Sequence, residues 1–386
     1  MRPLIILSDV HLGHRSCDDV ARDLARLVAA HPEHEIVLNG DSFNLSCDPP
    51  DCNPGASLAS VVAAHPELKA ALADHLAAGR PVTLIPGNHD AALAGPGIRA
   101  ALLAALDRQE DAPLAIEPWF IRRGAVHIEH GHLYDSPNSP SHPLVPPSPT
   151  TEPVGIAITR RWVGPWDAWD TFANQWTGTA VEKLGMTVGR LGWRAGIAIA
   201  EYWGILAVIT VEVAARGRLY RRERVEGDAG LPAFAELRGV PAAALCGVLD
   251  NRPQPLHESA RATFLRFGFD ALLALSAIPI GVVLAFTVSV RSGAAVAILG
   301  LGYLIAARKN LAARGANHMP DELRNGAALV SRLTDARLVI FGHTHLEDEM
   351  QGYLNLGAFG DRPNPARTFV HIDEQGRAER RQLPVA

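Results

Sequence analysis

The chain has 386 residues, of which 48% are hydrophobic and 20% are charged, and its formal net charge at pH 7 is −5. This length allows one large domain that carries an insertion, and the hydrophobic share allows a sizeable core. The acidic balance argues against a general nucleic-acid coat protein, because such a protein needs a basic face to release counterions from phosphates. Four cysteines without a C-x-x-C pair do not form a disulfide framework and predict free thiols, with a zinc knuckle or redox pair at Cys47 and Cys52 as the alternative.

The first 135 residues alternate between short apolar runs and amphipathic stretches. Strands are predicted at 3–8, 35–39, 81–86, 115–122 and 125–130, and helices at 18–30, 57–64, 66–78 and 97–107. Near the C-terminus the pattern returns, with a helix at 321–334 and strands at 336–341, 352–357, 366–372 and 377–383. Such alternation predicts an α/β sheet whose site is formed by the loops after the strand C-termini.

The middle of the chain has a different character. Residues 136–153 contain seven prolines, which predicts a semi-rigid extended linker. Residues 154–319 are helical in pattern and strongly apolar in places, which predicts a helical insertion. The catalytic domain is therefore expected at 1–135 and 320–386. Because the apolar run at 3–7 leads at once into an acidic motif, we expect no export signal and a cytoplasmic catalytic domain.

Two apolar stretches in the insertion predict a membrane hairpin over 268–307. Residues 271–290 contain no charge and are long enough to span a bilayer core, and a shorter apolar stretch follows at 294–307. Basic residues flank both ends, at Arg261, Arg266, Arg308, Lys309 and Arg314. Positive ends favour the cytoplasmic side of a membrane. The alternative is a soluble helical cap in which both stretches are packed.

A third apolar stretch, at 196–215, contains Glu201 and Glu212. Carboxylates inside a membrane are costly. A third span would also separate the two halves of the predicted catalytic domain into different compartments. We therefore predict an interfacial or buried helix there.

Five polar motifs follow predicted strands. They are Ser8-Asp9-Val10-His11, Asn39-Gly40-Asp41-Ser42-Phe43-Asn44, Pro86-Gly87-Asn88-His89-Asp90, Glu129-His130-Gly131-His132 and Phe341-Gly342-His343-Thr344-His345. Each motif alone is weak evidence, but all five in order predict a metal site. Carboxylate and imidazole ligands suit Mn, Fe, Zn or Ni. Two such cations about 3.5–4 Å apart can clamp a phosphoryl group and lower the pKa of a bound water.

This motif set resembles the calcineurin-like metallophosphoesterase superfamily, whose pattern D-x-H, G-D, G-N-H-D, H and G-H-x-H is met in full. The resemblance covers residues 1–135 and 320–386. It implies an α/β fold, a four-layer α-β-β-α sandwich, here carrying a large, mostly helical, apolar insertion. It also implies two divalent metal ions, with Mn the first choice and Fe, Zn or Ni as alternatives.

The resemblance further implies a role for individual residues. One metal would bind Asp9, His11 and His345, the other would bind Asn88, His130 and His343, and Asp41 would bridge the two. His89 would assist the departure of the leaving oxygen. Asp90 would orient His89, or alternatively stabilise the turn. From their positions next to the motifs, His132 is expected to contact substrate or solvent, and His14 and Arg15 to meet an anionic substrate or to form a solvated loop.

Among subfamilies, the chain resembles bacterial UDP-diacylglucosamine pyrophosphatases. The shared features are G-H-T-H followed by Asn355-Leu356-Gly357-Ala358-Phe359, and a helical insertion before that motif. The chain departs from them at His89, where those enzymes typically have arginine.

The predicted function is two-metal hydrolysis of a phosphate ester or pyrophosphate. An apolar insertion beside the site favours an amphiphilic or lipid-linked substrate at the cytoplasmic face of the inner or plasma membrane. One alternative is a soluble nucleotide or general phosphodiesterase or a nuclease, although a nucleic-acid partner is not expected without a basic, aromatic groove. The other is a non-catalytic scaffold, although no ligand position is missing.

Overall fold

The computed structural model describes residues 2–13, 17–168, 180–315, 318–361 and 366–384. The chain divides into two compact units. The first, which we call the sheet unit, comprises Met1–Pro165, Arg218–Pro255 and Met319–Ala386. The second, the helical unit, comprises Trp166–Gly217 and Leu256–His318.

One sheet of the sheet unit has six strands. They are β1 (Leu4–Leu7), β2 (Glu35–Asn39), β3 (Val82–Ile85), β4 (Leu114–Ile116), β10 (Ala366–Ile372) and β11 (Ala378–Pro384). Their order is β11-β10-β1-β2-β3-β4. Strands β1 to β4 are parallel, and β10 and β11 add antiparallel pairs at one edge.

The second sheet has five strands. They are β5 (Phe120–Arg123), β6 (Val126–Glu129), β7 (Leu338–Phe341), β8 (Glu347–Met350) and β9 (Tyr353–Leu356). Their order is β5-β6-β7-β9-β8, with β6, β7 and β9 parallel. The predicted strand at 115–122 is in fact two strands in different sheets, and the polar strand β8 lacks the apolar alternation that would have revealed it.

Six helices complete the main body of the sheet unit. They are α1 (Asp18–Ala30), α2 (Pro54–Ala64), α3 (Pro66–Ala77), α4 (Ile98–Ala105), α5 (Val154–Ile158) and α12 (Met319–Thr334). Strand β1 is buried on both faces, which explains its continuous apolar sequence. Ile5 and Leu7 pack with the helices α1 to α4, whereas Leu4 and Ile6 pack against the second sheet.

Helix α12 adds the fourth layer. Leu323 of α12 and Phe341 of β7 both approach Gly131 so closely that a Cβ there would contact their side chains. Helix α12 therefore lies beside β7. The order helix, sheet, sheet, helix confirms the predicted α/β metallophosphoesterase fold with a large helical insertion.

The segment 136–153 is not an extended linker, contrary to the sequence-based prediction. Ser139 and Ser141 are buried, and Arg252 donates to the Ser139 hydroxyl at 3.1 Å and to the Ser141 carbonyl at 2.7 Å. Proline-rich composition predicts an extended backbone, whereas the segment folds into successive turns whose polar groups are partly satisfied by a distant arginine. The segment is therefore part of the sheet unit.

Residues 218–255 also belong to the sheet unit rather than to the insertion. They comprise the end of α7 (Ala195–Arg238) and α8 (Ala242–Asn251). Phe234 stacks on Trp119 with ring centroids 5.9 Å apart and meets Phe120 edge to face. The helical pattern of this stretch resembles that of the insertion, so composition alone does not separate them.

The helical unit contains α6 (Ala180–Leu191), the start of α7, α9 (Ala260–Arg266), α10 (Phe269–Thr287) and α11 (Val290–Gly315). Helices α10 and α11 pack as a hairpin with close backbone approach. A Cβ on Gly293 would lie 2.2 Å from the Gly281 carbonyl oxygen, and one on Gly300 would lie 2.4 Å from that of Ala274. Small residues at such crossings are typical of helix pairs in membranes.

Three helical stretches are long and apolar enough to cross a membrane. They are Gly185–Arg238, which runs from within α6 to the end of α7, Phe269–Thr287, which is α10, and Val290–Arg308, the first part of α11. Within the hairpin, large apolar side chains are exposed, including Phe286 at 88% and Leu299 at 73%. In the stretch 196–215, Glu201 accepts from the indole of Trp166 and Glu212 pairs with Arg216. All three helices could span or associate with a membrane.

Replacing Arg367 by leucine should destabilise the sheet unit by about 3–5 kcal/mol. The guanidinium of Arg367 is fully buried and binds Asp23 at 2.6 Å and the Phe359 carbonyl at 2.7 Å, joining β10 to α1. Arg26→Leu removes a partner of the same Asp23 at a half-exposed site and should cost less than about 1 kcal/mol. Urea unfolding of both variants checks this, and equal midpoints would contradict it.

Candidate metal centre

The polar motifs lie at the carboxyl ends of parallel strands in the two sheets. In the first sheet, Asp9 and His11 follow β1, Asp41 follows β2 and Asn88 follows β3. In the second sheet, His130 follows β6, and His343 and His345 follow β7. Hydrogen bonds join these ends: the His11 amide donates to the Asp41 carbonyl at 2.9 Å, and the His343 amide donates to Asp9 Oδ2 at 3.0 Å. The second bond links the two sheets directly at the site.

The backbone is strained where these side chains project. Eight non-glycine residues among those described have positive φ, and five of them are Asp9, His11, Asp41, His343 and His345. A positive φ is unfavourable for residues with a Cβ and persists where the surrounding structure enforces it. The strain is concentrated at one site, as expected of a functional constellation.

Two glycines allow this close packing. Gly40 has φ +84°, and a Cβ there would lie 2.3 Å from the His130 ring. A Cβ on Gly87 would lie 2.1 Å from Asp41 Oδ1. The motifs G-D and G-N-H-D therefore require glycine because another side chain approaches the backbone.

The first ligand group consists of Asp9, His11 and His345. Their candidate ligand atoms all lie within 4.8 Å of one another. The Nε2 atoms of His11 and His345 are 3.2 Å apart, and His345 Nε2 is 3.4 Å from Asp9 Oδ1. Two imidazole nitrogens and a carboxylate oxygen converge here on one point.

The second group consists of Asp41, His130 and His343, which meet the same 4.8 Å criterion and are all buried. His130 Nε2 lies 3.2 Å from Asp41 Oδ2. The rings of His130 and His343 meet edge to face at 5.2 Å. Asp41 also accepts the His89 amide on Oδ1 at 2.7 Å.

Three buried atoms at this centre have no aligned hydrogen-bond partner among the described residues: Asp9 Oδ1, Asn88 Oδ1 and His130 Nε2. Burying an unsatisfied polar atom is costly, so native structures rarely leave three together. Bound cations would satisfy all three. The donors are oxygen and nitrogen atoms without a thiolate, so the residues present fit divalent ions such as Mn, Fe, Zn or Ni.

The other ring nitrogen of each histidine is held by a neighbour. His11 Nδ1 lies 2.9 Å from Asn44 Oδ1, His130 Nδ1 lies 3.0 Å from the Asn39 carbonyl, His343 Nε2 lies 3.0 Å from Asp135 and His345 Nδ1 lies 3.3 Å from Asp361. Such partners orient metal-ligating imidazoles and set their tautomers.

The sequence did not predict a role for Asp135 or Asp361. Asp135 is 208 residues from His343, which it contacts, and Asp361 is 16 residues from His345. Both follow the ligand motifs at spacings without a recognised pattern, so no local signal could have assigned them.

Asp90 does not hold the His89 ring, in contrast to the first of its two predicted roles. Its buried carboxylate accepts from the amides of Gly87 at 2.6 Å, Ser42 at 2.7 Å, and Asp41 and Phe43 at 3.2 Å. His89 Nδ1 instead lies 2.8 Å from Ser46 Oγ. The structure therefore supports the turn-stabilising alternative, because Asp90 joins the loops after β2 and β3.

The predicted substrate contacts have different outcomes. His132 lies beside the second group, its ring 5.3 Å from that of His130, and its buried Nδ1 has no hydrogen-bond partner among the described residues. His14 and Arg15 lie outside the described residues.

Opposite charges in this centre stabilise each other. Burial disfavours the charged form of Asp9, but His130 and His345 outweigh it and hold the pKa of Asp9 well below its usual range. The pKa of Asp41 is likewise held well below that range against burial, chiefly by His130 and His89. Burial lowers the pKa of His130, yet Asp41 and Asp9 together raise it to about 9.

The two histidines outside the groups shift the other way. Burial lowers the pKa of His89 to about 3, with Asp41 opposing and the neighbouring His11 and His345 adding to the decrease. Burial also lowers the pKa of His132 well below its usual range, assisted by His130 and His343. Neutral imidazoles are therefore expected at both positions.

Without metal, the protein should lose stability between about pH 6.5 and pH 9. The folded pKa of His130 is raised, so its contribution is complete below the unfolded value and is lost as pH rises through about 9. A bound cation would compete with this proton, so Mn-loaded protein should not lose stability over the same pH range. Thermal unfolding of metal-free and Mn-loaded protein at both pH values checks this, and parallel pH curves would contradict it.

Asp135→Ala should weaken metal binding about 10–100-fold, because it removes the partner that orients His343. Titration with Mn followed by calorimetry measures the change. Asp373→Ala, in an exposed turn, serves as the matched control and should bind metal like the parent. Equal affinity in the two variants would show that Asp135 does not support the site.

Comparison with known proteins agrees with this geometry. No curated protein matches the chain significantly. Residues 2–181 match the model of the calcineurin-like phosphoesterase family, and the match includes the first four of the five motifs. The resemblance to UDP-diacylglucosamine pyrophosphatases stays a prediction. The family match, the two ligand groups and the α/β fold together lead to one conclusion: the chain carries a calcineurin-like phosphoesterase domain.

Proposed function

We propose that this chain is a metal-dependent hydrolase of a phosphate ester or anhydride. The observation that carries the proposal is the pair of adjacent ligand groups, Asp9, His11 and His345 beside Asp41, His130 and His343. The family supports metal-dependent phosphoester hydrolysis in general terms. A scaffold without activity would not need two complete ligand groups, strained backbone at five of these positions and a retained His89.

The first group would hold one cation, and the second group together with Asn88 would hold the other. Asp41 is suited to bridge them, since its two oxygens face different neighbours, His130 and the His89 amide. Divalent cations supply positive charge at phosphoryl oxygens and acidify water. Mn is our first choice on the resemblance to the family, and the mixed set of imidazole nitrogens and carboxylate or amide oxygens also suits Fe, Zn or Ni.

His89 is the residue that we assign to the leaving oxygen. Its ring meets that of His11 edge to face at 5.2 Å, so it borders the first ligand group. Ser46 Oγ lies 2.8 Å from Nδ1 and fixes the orientation of the ring. A hydrogen bond from Nε2 of this neutral imidazole would stabilise the developing charge on the leaving oxygen.

We further propose that the helical unit associates with a membrane and that the substrate is amphiphilic, including lipid-linked phosphates. The hairpin α10–α11 exposes apolar side chains along both helices, and the residues of its two candidate spans are scarcely buried. The chain leaves the sheet unit after Pro255 and re-enters it at Met319. The number of membrane spans within 256–318 must therefore be even. Two helices satisfy this requirement.

The orientation follows from charge. Basic residues lie just before and just after the hairpin, where the chain leaves and re-enters the sheet unit: Arg261, Arg266 and Arg308. Positive residues favour the cytoplasmic side. We therefore propose that the sheet unit acts at the cytoplasmic face of the inner or plasma membrane. Nucleic acid is not an expected partner of this acidic chain.

Mn-loaded protein in detergent should hydrolyse phosphate esters, and His89→Ala should lower kcat by about 10²–10⁴-fold, because it removes assistance to the leaving oxygen. Metal content should be unchanged, since His89 is not assigned as a ligand. Parallel assays offer short water-soluble esters and lipid-linked phosphates and pyrophosphates. Absence of hydrolysis with Mn, Fe, Zn and Ni would overturn the proposed function.

Charged substitutions in the hairpin should abolish vesicle binding. The triple variant Val283→Asp, Phe286→Asp, Ile298→Asp places carboxylates on exposed apolar positions, and each is costly in a bilayer. Val225→Asp with Leu237→Asp, at equally exposed positions of the sheet unit, is the matched control. Flotation with anionic phospholipid vesicles measures binding, and equal flotation of both variants would contradict the membrane proposal.

A further inference from the structure

Three histidines lie together in the sheet unit, at the opposite end of β1 and β2 from the metal centre. His31 and His34 lie in the connection between α1 and β2, and His371 lies in β10. His371 is paired with Ile5 near the start of β1, and the residue after His34 is the first of β2. The candidate metal ligands follow the carboxyl ends of the same two strands. We call His31, His34 and His371 the histidine cluster, and the proposed function gives no role to any of them.

Two rings of the cluster face each other through the same nitrogen. The Nε2 atoms of His34 and His371 are 3.1 Å apart, and the ring centroids are 5.1 Å apart. Two imidazoles bound to one cation at about 2.0–2.1 Å each place their nitrogens about 2.9–3.4 Å apart, for bond angles of about 90–110°. The pair therefore has the separation of two ligands of one cation. Without a cation, the same separation accommodates an N–H···N hydrogen bond.

His31 borders this pair from the end of α1. Its ring meets that of His34 edge to face, with centroids 5.1 Å apart. His31 Nδ1 lies 2.9 Å from the Leu27 carbonyl, and because a carbonyl only accepts, Nδ1 carries the proton. The Nε2 atom of the neutral ring is therefore unprotonated. A backbone carbonyl on the other ring nitrogen is a usual partner of a metal-binding imidazole.

The backbone that carries the facing pair is held in place. The His34 amide donates to the His31 carbonyl at 3.2 Å, and His75 Nε2 donates to the His34 carbonyl at 3.1 Å. His34 Nδ1 is buried and has no hydrogen-bond partner among the described residues, so a ligand reaches this ring at Nε2. His371 is fixed by the antiparallel pairing of β10 with β1 and β11. A pair that is preformed in this way loses little conformational entropy when a ligand binds.

Protons compete only weakly for these imidazoles. Burial lowers the pKa of His34 to about 4, and the neighbouring His31 and His371 add to the decrease. Burial also lowers the pKa of His371, assisted by Arg381 and His31. Arg381 is itself paired with Glu379 at 2.6 Å, which offsets its charge near the cluster. The two facing rings are therefore neutral at physiological pH, the state in which imidazole ligates metal.

We propose that the histidine cluster is a further metal site, which binds a transition-metal cation through Nε2 of His34 and Nε2 of His371, with His31 beside them. Neutral imidazoles suit Zn, Cu or Ni, whereas Mg, Ca and Mn prefer carboxylate and carbonyl oxygens. This site is independent of the proposed function, because none of its ligands belongs to the metal centre.

A cation in this site joins the two ends of the chain. His34 and His371 are 337 residues apart in the sequence, on the two sides of the segments that form the helical unit. The bound cation connects the loop after α1 to β10 and stabilises the folded sheet unit by mass action. The site is therefore structural rather than catalytic.

Zinc binding to the full chain, prepared without a histidine tag, tests the site. We would compare the parent, His371→Gln and the control His65→Gln by equilibrium dialysis against Zn²⁺ and elemental analysis. His65 is a half-buried histidine that contacts Cys17 and lies outside the cluster. His371→Gln should weaken zinc binding at the cluster about tenfold or more, because the amide replaces an imidazole ligand. At micromolar free zinc, the parent and the control should each hold one more zinc ion than His371→Gln.

Thermal unfolding gives a second readout. Zinc should raise the midpoint of the parent and of His65→Gln more than that of His371→Gln, because only the first two gain the cluster-bound cation. Unfolding in the presence of a chelator verifies that each variant is folded. If His371→Gln does not fold, His34→Gln removes the other ligand of the pair and should lose the same zinc ion.

Equal zinc content in the parent, His371→Gln and His34→Gln would overturn the inference. Loss of the additional zinc ion in His65→Gln instead would assign that ion to another part of the chain and would also overturn it. Binding that requires millimolar zinc would show an adventitious ion only, with the same consequence.

Discussion

The buried carboxylate of Asp90 is the contact on which the centre depends. It accepts four backbone amides, from Gly87, Asp41, Ser42 and Phe43, and so ties the loop after β3 to the loop after β2. This bond network brings Asp41 Oδ1 within 2.7 Å of the His89 amide. Asp90 therefore sets the separation between Asp41, the proposed bridging ligand, and His89, the residue proposed to assist the leaving oxygen.

Charge explains why these side chains need one another. Asp9 and Asp41 are buried, and burial alone would disfavour their ionised forms. The facing histidines compensate in the metal-free protein, and His130 is the main one for both carboxylates. Divalent cations would take over that role, so metal binding and folding stability are coupled through the same residues.

The two halves of the motif set reach the site by a long route. Strands β6 and β7 are neighbours in one sheet, although residues 130–337 separate them along the chain. That intervening chain supplies the proline segment, the later helices of the sheet unit and two excursions into the helical unit. The apolar hairpin therefore lies outside the sheet unit that carries the candidate ligands.

The sequence by itself determined the five motifs, the candidate ligands and most of the strands that precede them, because apolar periodicity and local motif spacing encode these features. It missed the polar strand β8 and the division of 115–122. Only the tertiary structure decided that Asp90 faces backbone amides, that Ser46 holds His89 and that Asp135 supports His343. It also assigned 136–153 and 218–255 to the sheet unit. These features depend on contacts between residues far apart in the chain, whose partners leave no signal in local composition or spacing.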